Sequence, residues 1–106
     1  MKVTEFQQKV YDAICKIPKG KVSTYKLVAD YIDCRSAQAV GQALKRNPFA
    51  PEVPCHRVIS SDLTIGGFGG ETSGEKIYNK ISLLESEGIR FKNGRIIDYG
   101  NVYDFK

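Results

Sequence analysis

The residues of this chain best suited to covalent chemistry are Cys55 and His56, which are adjacent within the segment Pro54–Val58. His56 is the only histidine among 106 residues. A cysteine acts as a nucleophile only as its thiolate, and a neighbouring imidazole or cation favours that form. Arg57 supplies a cation directly after the pair. The segment therefore predicts a nucleophilic thiol with a base beside it. The alternative is a buried thiol next to a surface imidazole.

Length, composition and cysteine content limit the class of protein. The 106 residues fit one domain, and 42% hydrophobic residues is typical of a globular fold. No apolar stretch approaches a membrane span and no signal-peptide pattern is present, so we expect an intracellular protein without a membrane partner, cytoplasmic in a prokaryote or nuclear in a eukaryote. Three widely spaced cysteines argue against a disulfide framework. With one histidine and no Cys-x-x-Cys, no metal or cofactor is predicted.

Positive charge is clustered along the chain, which has a formal net charge of +4. Four lysines bracket one predicted turn, namely Lys16, Lys19, Lys21 and Lys26, and three cations lie near the cysteine in sequence, namely Lys45, Arg46 and Arg57. Clustering of this kind favours a nucleic-acid partner more than net charge alone does.

Three helices are predicted before the cysteine. The first opens on a capping box at Thr4–Gln7 and carries a buried stripe of Phe6, Val10, Ile14 and Ile17. The second begins at Ser23 or Thr24, ends near Ile32 and turns inward Leu27, Val28, Tyr31 and Ile32. The third runs from Ser36 to about Arg46. Two short helices joined by so few residues indicate a helix-turn-helix.

The third helix has an unusual composition. Gln38, Gln42 and Lys45 recur at helical spacing and share one polar face. Its other positions include the small residues Ala37, Ala39, Gly41 and Ala43. Small residues let a helix approach another surface closely, either a neighbouring helix or a nucleic-acid groove. Packing is the preferred interpretation for Gly41 and Ala43, and a groove for the Gln38 face.

Irregular segments flank the cysteine. Three prolines brace residues 47–54, since each removes a backbone donor and favours extended geometry. Residues 60–74 hold five glycines around Phe68, which predicts a loop that approaches a ligand or another backbone, or else a plain flexible loop.

A fourth helix and a hairpin are predicted after this loop. The helix opens on a capping box at 72–75, buries Ile77, Ile81 and Leu84, and ends at Gly88. Asn93–Gly94 then joins two short strands. The tail 100–106 has no assignable pattern. The predicted fold is mostly α with a small β-hairpin: a winged-helix-like helix-turn-helix domain, spanning 1–106, that carries an active-site cysteine.

Three segments together resemble the O6-alkylguanine-DNA alkyltransferases, which repair O6-methylguanine. They are Asn47, Pro54–Ile59 and the glycine-rich Gly66–Gly70. Gly20–Tyr25, at the start of the helix-turn-helix, is similar as well. The resemblance extends to Gly88 and follows the order of that family's C-terminal domain, so the N-terminal domain common in the family is expected to be absent.

The resemblance implies a reaction and roles for four residues. The partner is double-stranded DNA containing O6-alkylguanine, bound by a monomer. The damaged base is flipped out of the stack, because a thiolate cannot reach its alkyl group inside the duplex. Cys55 takes the alkyl group irreversibly, once per molecule. His56 is the base, acting through a water, Glu87 orients the imidazole, and Asn47 braces the turn that carries Cys55.

The resemblance also implies a DNA surface and a base pocket. The DNA-binding residues are Tyr25, Thr24, Gln38, Ala37, Gln42, Lys45, Arg46 and Arg57. The base pocket comprises Val58, Ile65, Gly66, Phe68 and Gly69. Two positions depart from the family pattern: Gln38 stands where the family usually has an arginine that fills the space of the flipped base, and Phe68 stands where a tyrosine usually bonds the guanine O6.

Three other functions are consistent with parts of the sequence. An alkyltransferase-like protein binds the lesion with weak or no transfer, although such proteins lack the reactive cysteine. A helix-turn-helix regulator with a redox-sensitive Cys55 would bind a particular DNA sequence without preference for the lesion. A cysteine hydrolase leaves the helix-turn-helix unexplained.

Overall fold

The helices follow one another as the sequence predicts. The structure is a computed structural model that describes residues 3–46, 53–65 and 75–105. Its α-helices are α1 at Glu5–Ile14, α2 at Tyr25–Tyr31, α3 at Ala37–Lys45 and α4 at Glu75–Ser86. Single turns of 3-10 helix lie at Cys55–Arg57 and Tyr99–Asn101.

Side-chain caps start the first three helices. At α1, the Thr4 hydroxyl accepts from the Gln7 amide at 3.1 Å and the Gln7 side chain accepts from the Thr4 amide at 3.0 Å, which is the predicted capping box. Thr24 and Ser36 each accept the amide three residues on, at 3.1 and 3.0 Å. These caps satisfy amides that have no partner within the helix and so fix where each helix begins.

A two-stranded parallel sheet joins the start of α2 to the segment after Cys55. Strand β1 at Ser23–Thr24 pairs with β2 at Val58–Ile59. Successive side chains of a strand point to opposite faces. Val58 accordingly packs in the core formed with α1, α2 and α3, whereas Ile59 packs in a second core with Leu84. The backbone that follows Cys55 is therefore held from both sides.

The predicted hairpin is present. Strand β3 at Phe91–Lys92 pairs antiparallel with β4 at Arg95–Ile96. Asn93 and Gly94 have φ of 54° and 76°, the left-handed conformations that a two-residue hairpin turn requires. Gly88, with φ of 92°, follows α4 as predicted. The second turn of 3-10 helix, at Tyr99–Asn101, follows β4.

The C-terminal segment packs on the rest of the chain. The Val22 amide donates to the carbonyl of Asn101 at 2.8 Å, and the Tyr103 amide donates to the Val22 carbonyl at 2.6 Å. The Phe105 ring stacks on Tyr31, with centroids 4.5 Å apart. Tyr31 is 45% exposed, so its predicted inward position is wrong. Its ring lies on the surface against the tail instead of in the helical core.

The predicted fold class is confirmed. The chain is mostly helical, α2 and α3 form the helix-turn-helix, and the hairpin is the small wing-like element. Asp33, with φ of 59°, turns the chain between the two helices. None of the helices in the described ranges is long and apolar enough to cross a membrane.

Candidate active site

Cys55 and His56 lie on one turn of 3-10 helix that leads directly into β2. Side chains on such a turn point roughly 120° apart, because the helix has about three residues per turn. The two side chains therefore face different surroundings. Cys55 is partly exposed, whereas His56 is only 5% exposed. Proton transfer between them requires an intermediary rather than a direct hydrogen bond.

His56 is paired with Glu87, which follows the last turn of α4. Its Nε2 lies 3.0 Å from Glu87 Oε2, and both side chains are nearly buried. Burial acts to raise the pKa of the Glu87 carboxyl, but hydrogen bonds from Arg57 and His56 and their charges outweigh it, so this pKa lies below its usual value. An ionised carboxylate only accepts hydrogen bonds, so Nε2 is the donor and carries a proton.

Arg57 occupies a different place from the one predicted. Its Nε and Nη2 donate to the two carboxylate oxygens of Glu87 at 2.9 and 3.0 Å, and its Nη1 donates to the Ile17 carbonyl at 3.0 Å. Since the guanidinium is turned inward, we remove Arg57 from the proposed DNA-contacting residues. Sequence reasoning could not foresee this, because both partners are at least 30 positions away.

Lys80 is a buried cation that sequence reasoning missed. Its side chain has no exposed surface, and its ammonium donates to the carbonyls of Val58 at 2.8 Å and Ile65 at 2.9 Å. Burial lowers its pKa to about 8, while the electrostatic interaction with Cys55 acts in the opposite direction. The available signal is spacing: Lys80 lies four residues before Leu84, on the buried stripe of α4.

The two described base-pocket residues are joined through this lysine. Both residues accept a hydrogen bond from Lys80 through their backbone carbonyls. The Val58 side chain is wholly buried in the core, and Ile65 is partly buried. Val58 comes three residues after Cys55, and Ile65 directly precedes the glycine-rich stretch. The ammonium thus links the backbone that carries the thiol to the start of that stretch.

Tyr25 lines an open cleft and interacts electrostatically with Cys55. It is the first residue of α2 and approaches Gly41 of α3, where a Cβ would lie 4.0 Å from its ring. Burial raises the pKa of the Tyr25 hydroxyl, and the negative charge of Cys55 raises it further. Tyr25 is therefore a phenol that keeps its proton near neutral pH.

The cleft collects several predicted DNA-contacting residues. It has a volume of about 340 Å³ and is lined by Tyr25, Ala37, Gln38, Gly41, Gln42, Ser60 and Ser61. The polar face of α3 and the first residue of α2 therefore share one concave surface. Ser60 and Ser61 were not named as DNA contacts, although they begin the segment 60–74 that the sequence predicts as a loop approaching a ligand or another backbone.

Three remaining predicted contacts have different positions. Lys45 and Arg46 are exposed at the end of α3, and Arg46 also lines a neighbouring cleft with residues of α1. Thr24 is 4% exposed and its hydroxyl caps α2, so its side chain belongs to the fold rather than to the surface. We therefore keep Lys45 and Arg46 as candidate DNA contacts and remove the Thr24 side chain.

Four predicted site residues lie in the segments between the described ranges. Asn47, Gly66, Phe68 and Gly69 lie outside the described residues, as does most of the capping box at 72–75. Within ranges 3–46, 53–65 and 75–105, no three His, Cys, Asp or Glu side chains are placed to hold a metal ion.

Comparison with known proteins identifies the family of the chain. Residues 5–89 match the family model described as 6-O-methylguanine DNA methyltransferase, DNA binding domain. A methylated-DNA–protein-cysteine methyltransferase of Saccharolobus islandicus is 43% identical over 90 residues, which are 85% of this chain and 55% of that protein. This chain thus spans about half the length of the curated relatives it matches.

Two solved structures show the same fold. Mycobacterium tuberculosis OGT in complex with DNA superposes with a TM-score of 0.73 at 42% identity, covering 81% of this chain and 51% of that one. S. pombe ATL in complex with DNA superposes with a TM-score of 0.74 at 40% identity, covering 97% of this chain and 98% of that one. By its sequence and its fold, this chain belongs to the 6-O-methylguanine DNA methyltransferase family.

Proposed function

We propose that this chain repairs DNA by transferring the alkyl group of O6-alkylguanine, chiefly O6-methylguanine, to Cys55. The observation that carries the proposal is the buried pair of His56 and Glu87 beside a partly exposed thiol. A base held by a carboxylate next to an accessible cysteine is the arrangement that thiolate chemistry needs. Membership in the family, and relatives named for this transfer, support it.

In the proposed reaction, the Cys55 sulfur attacks the methyl carbon on the guanine O6. A carbon–sulfur bond forms and the carbon–oxygen bond breaks, with its electron pair left on the guanine. The thiol proton passes through a water to His56 and from there to the departing base, so a thiol and O6-methylguanine become a thioether and guanine. Glu87 stabilises the intermediate imidazolium. The thioether cannot be reopened by water or by a second thiol, so each chain reacts once.

The cleft beside Tyr25 is the proposed place for DNA. The small residues of α3 would allow close approach of the DNA backbone, and Gln38, which lines the same cleft, is the residue proposed to fill the space vacated by the flipped base. The protonated hydroxyl of Tyr25 can donate to the phosphate next to that base. Exposed Lys45 and Arg46 add charge at the end of the same helix.

Mass spectrometry of the intact protein tests the proposal. After incubation with excess duplex containing one O6-methylguanine, the protein should gain the mass of one CH₂ group, and peptide mapping should place it on Cys55. The gain should stop at one methyl per chain. The same duplex with unmodified guanine is the control. Methylation at another residue, or continued turnover, would rule out the mechanism.

Lesion binding without transfer is the second candidate. It is favoured by the match to S. pombe ATL over nearly the whole of both chains and by Gln38 in place of the family arginine. Retention of the methylated duplex in a gel-shift assay with no gain in protein mass would establish it. A redox-sensitive regulator would show neither a mass gain nor preference for the lesion, but would bind one DNA sequence selectively.

A further inference from the structure

The Arg57 guanidinium is hydrogen-bonded to two separate parts of the chain. Its guanidinium holds both oxygens of Glu87 and also the carbonyl of Ile17, at distances between 2.9 and 3.0 Å. The Arg57 side chain is 16% exposed and that of Glu87 is 9% exposed. The Ile17 contact ties the guanidinium to the segment after α1, while the Glu87 contact ties it to the end of α4. Two separate elements therefore fix the position of this one group.

Oε2 of Glu87 is shared between two donors. Arg57 Nη2 and His56 Nε2 each lie 3.0 Å from it. A two-point Arg–carboxylate contact fixes the plane of the carboxylate, which a single contact would leave free to rotate. The orientation of Oε2 towards the imidazole is therefore set by Arg57, although Arg57 does not touch His56 through any of these bonds.

We propose that Arg57 is a positioning residue for the transfer proposed above: by holding the Glu87 carboxylate, it keeps the proton of His56 on Nε2 and leaves Nδ1 as the nitrogen that receives the Cys55 proton. The effect of Arg57 on alkyl transfer rests on the proposed function, but its effect on the His56 tautomer does not depend on DNA. It replaces the predicted role of Arg57 as a DNA contact. A carboxylate without this hold could rotate away and allow the other tautomer, in which Nδ1 carries the proton and cannot act as a base.

The imidazole can be observed directly, because His56 is the only histidine in the chain. Long-range ¹H–¹⁵N correlation spectra of the free protein should show the neutral ring as a single Nε2–H tautomer. Arg57→Met, which keeps the aliphatic length and removes the guanidinium, should give a mixture of tautomers. The reaction of Cys55 with iodoacetamide, followed by peptide mapping, should slow about tenfold, since a general base contributes about 100-fold or more and a misoriented one keeps only part of that.

Two further variants complete the test. Lys9→Met removes one exposed positive charge from α1 and should leave both readouts unchanged. Arg57→Lys keeps the charge but cannot hold both carboxylate oxygens, so it should fall between the wild type and Arg57→Met. If Arg57→Met does not fold, the tautomer ratio of Arg57→Lys decides the matter.

Unchanged tautomer and unchanged Cys55 reactivity in the folded Arg57 variants would overturn the proposal. Weaker DNA binding with an unchanged His56 spectrum would also overturn it and restore the DNA-contact role. Neither readout uses DNA, so failure of alkyl transfer in the wild type, which would refute the proposed function, can be distinguished from failure of this inference.

Discussion

Lys80 donates a hydrogen bond of 2.8 Å to the carbonyl oxygen of Val58, and no part of its side chain is exposed. A second bond, to the Ile65 carbonyl, stabilises the ammonium further. Taking a cation out of water is unfavourable, so burial lowers the pKa of Lys80 to about 8 even though these two hydrogen bonds are present. This lysine therefore makes the stability of the fold depend on pH in an alkaline range.

The first prediction concerns that dependence. The pKa of Lys80 is about 8 in the native protein, whereas the ordinary pKa of a lysine, which applies to the unfolded chain, is 10.5. Between these values the unfolded state binds more protons, so the lysine's contribution to stability rises with pH. In urea denaturation, the free energy of unfolding of the wild type minus that of Lys80→Met should rise by about 2–3 kcal/mol from pH 7.5 to 10.5. Exposed Lys92→Met should show no such trend, and a flat difference for Lys80→Met would contradict the prediction.

The second prediction concerns the nucleophile. Cys55→Ser should abolish alkyl transfer while DNA binding persists, because a serine hydroxyl does not ionise near neutral pH and the cleft beside Tyr25 is untouched. Transfer of a labelled methyl group and a gel-shift assay measure the two properties. Cys15→Ser and Cys34→Ser are matched controls that should transfer normally. Residual methylation of Cys55→Ser would refute the assignment.

The third prediction concerns the cleft. Gln38→Arg should bind DNA more tightly and with a steeper salt dependence, because one more cation releases one more counterion. The slope of log K against log salt should steepen by about 0.9. Gln8→Arg makes the same substitution on the exposed side of α1 and should leave the slope nearly unchanged. An equal effect of both variants would mean that Gln38 does not face DNA.

The fourth prediction concerns the tail. Phe105→Ala should lower the free energy of unfolding by about 1–2 kcal/mol, because it removes the stack on Tyr31 and an edge contact with Tyr103. Tyr99→Ala, at a residue that is 59% exposed, should change stability much less. Chemical denaturation of both variants measures the difference. Equal stability of Phe105→Ala and wild type would show that the tail contributes nothing to the fold.

Local features of the chain could be predicted because their causes are local. The caps at Thr4 and Ser36 involve only the next three residues. The buried stripe of α1 follows from the helical spacing of its apolar residues. The Asn93–Gly94 turn follows from the tolerance of these two residue types for the left-handed φ angles observed there. Cys55 could also be proposed as the nucleophile from the sequence alone, since His56 and Arg57 follow it directly.

Long-range contacts decided the rest. The sequence determined that Cys55, His56 and Arg57 are consecutive, but only the packing of α4 places Glu87 within 3.0 Å of His56 and turns Arg57 inward. From the sequence alone, Arg57 is equally consistent with a DNA contact and with a buried ion pair, because its partners Glu87 and Ile17 are 30 or more positions away. The burial of Lys80 could not be predicted for the same reason. A lysine is normally expected on the surface. The backbone carbonyls that accept its hydrogen bonds belong to segments that only the tertiary fold brings together.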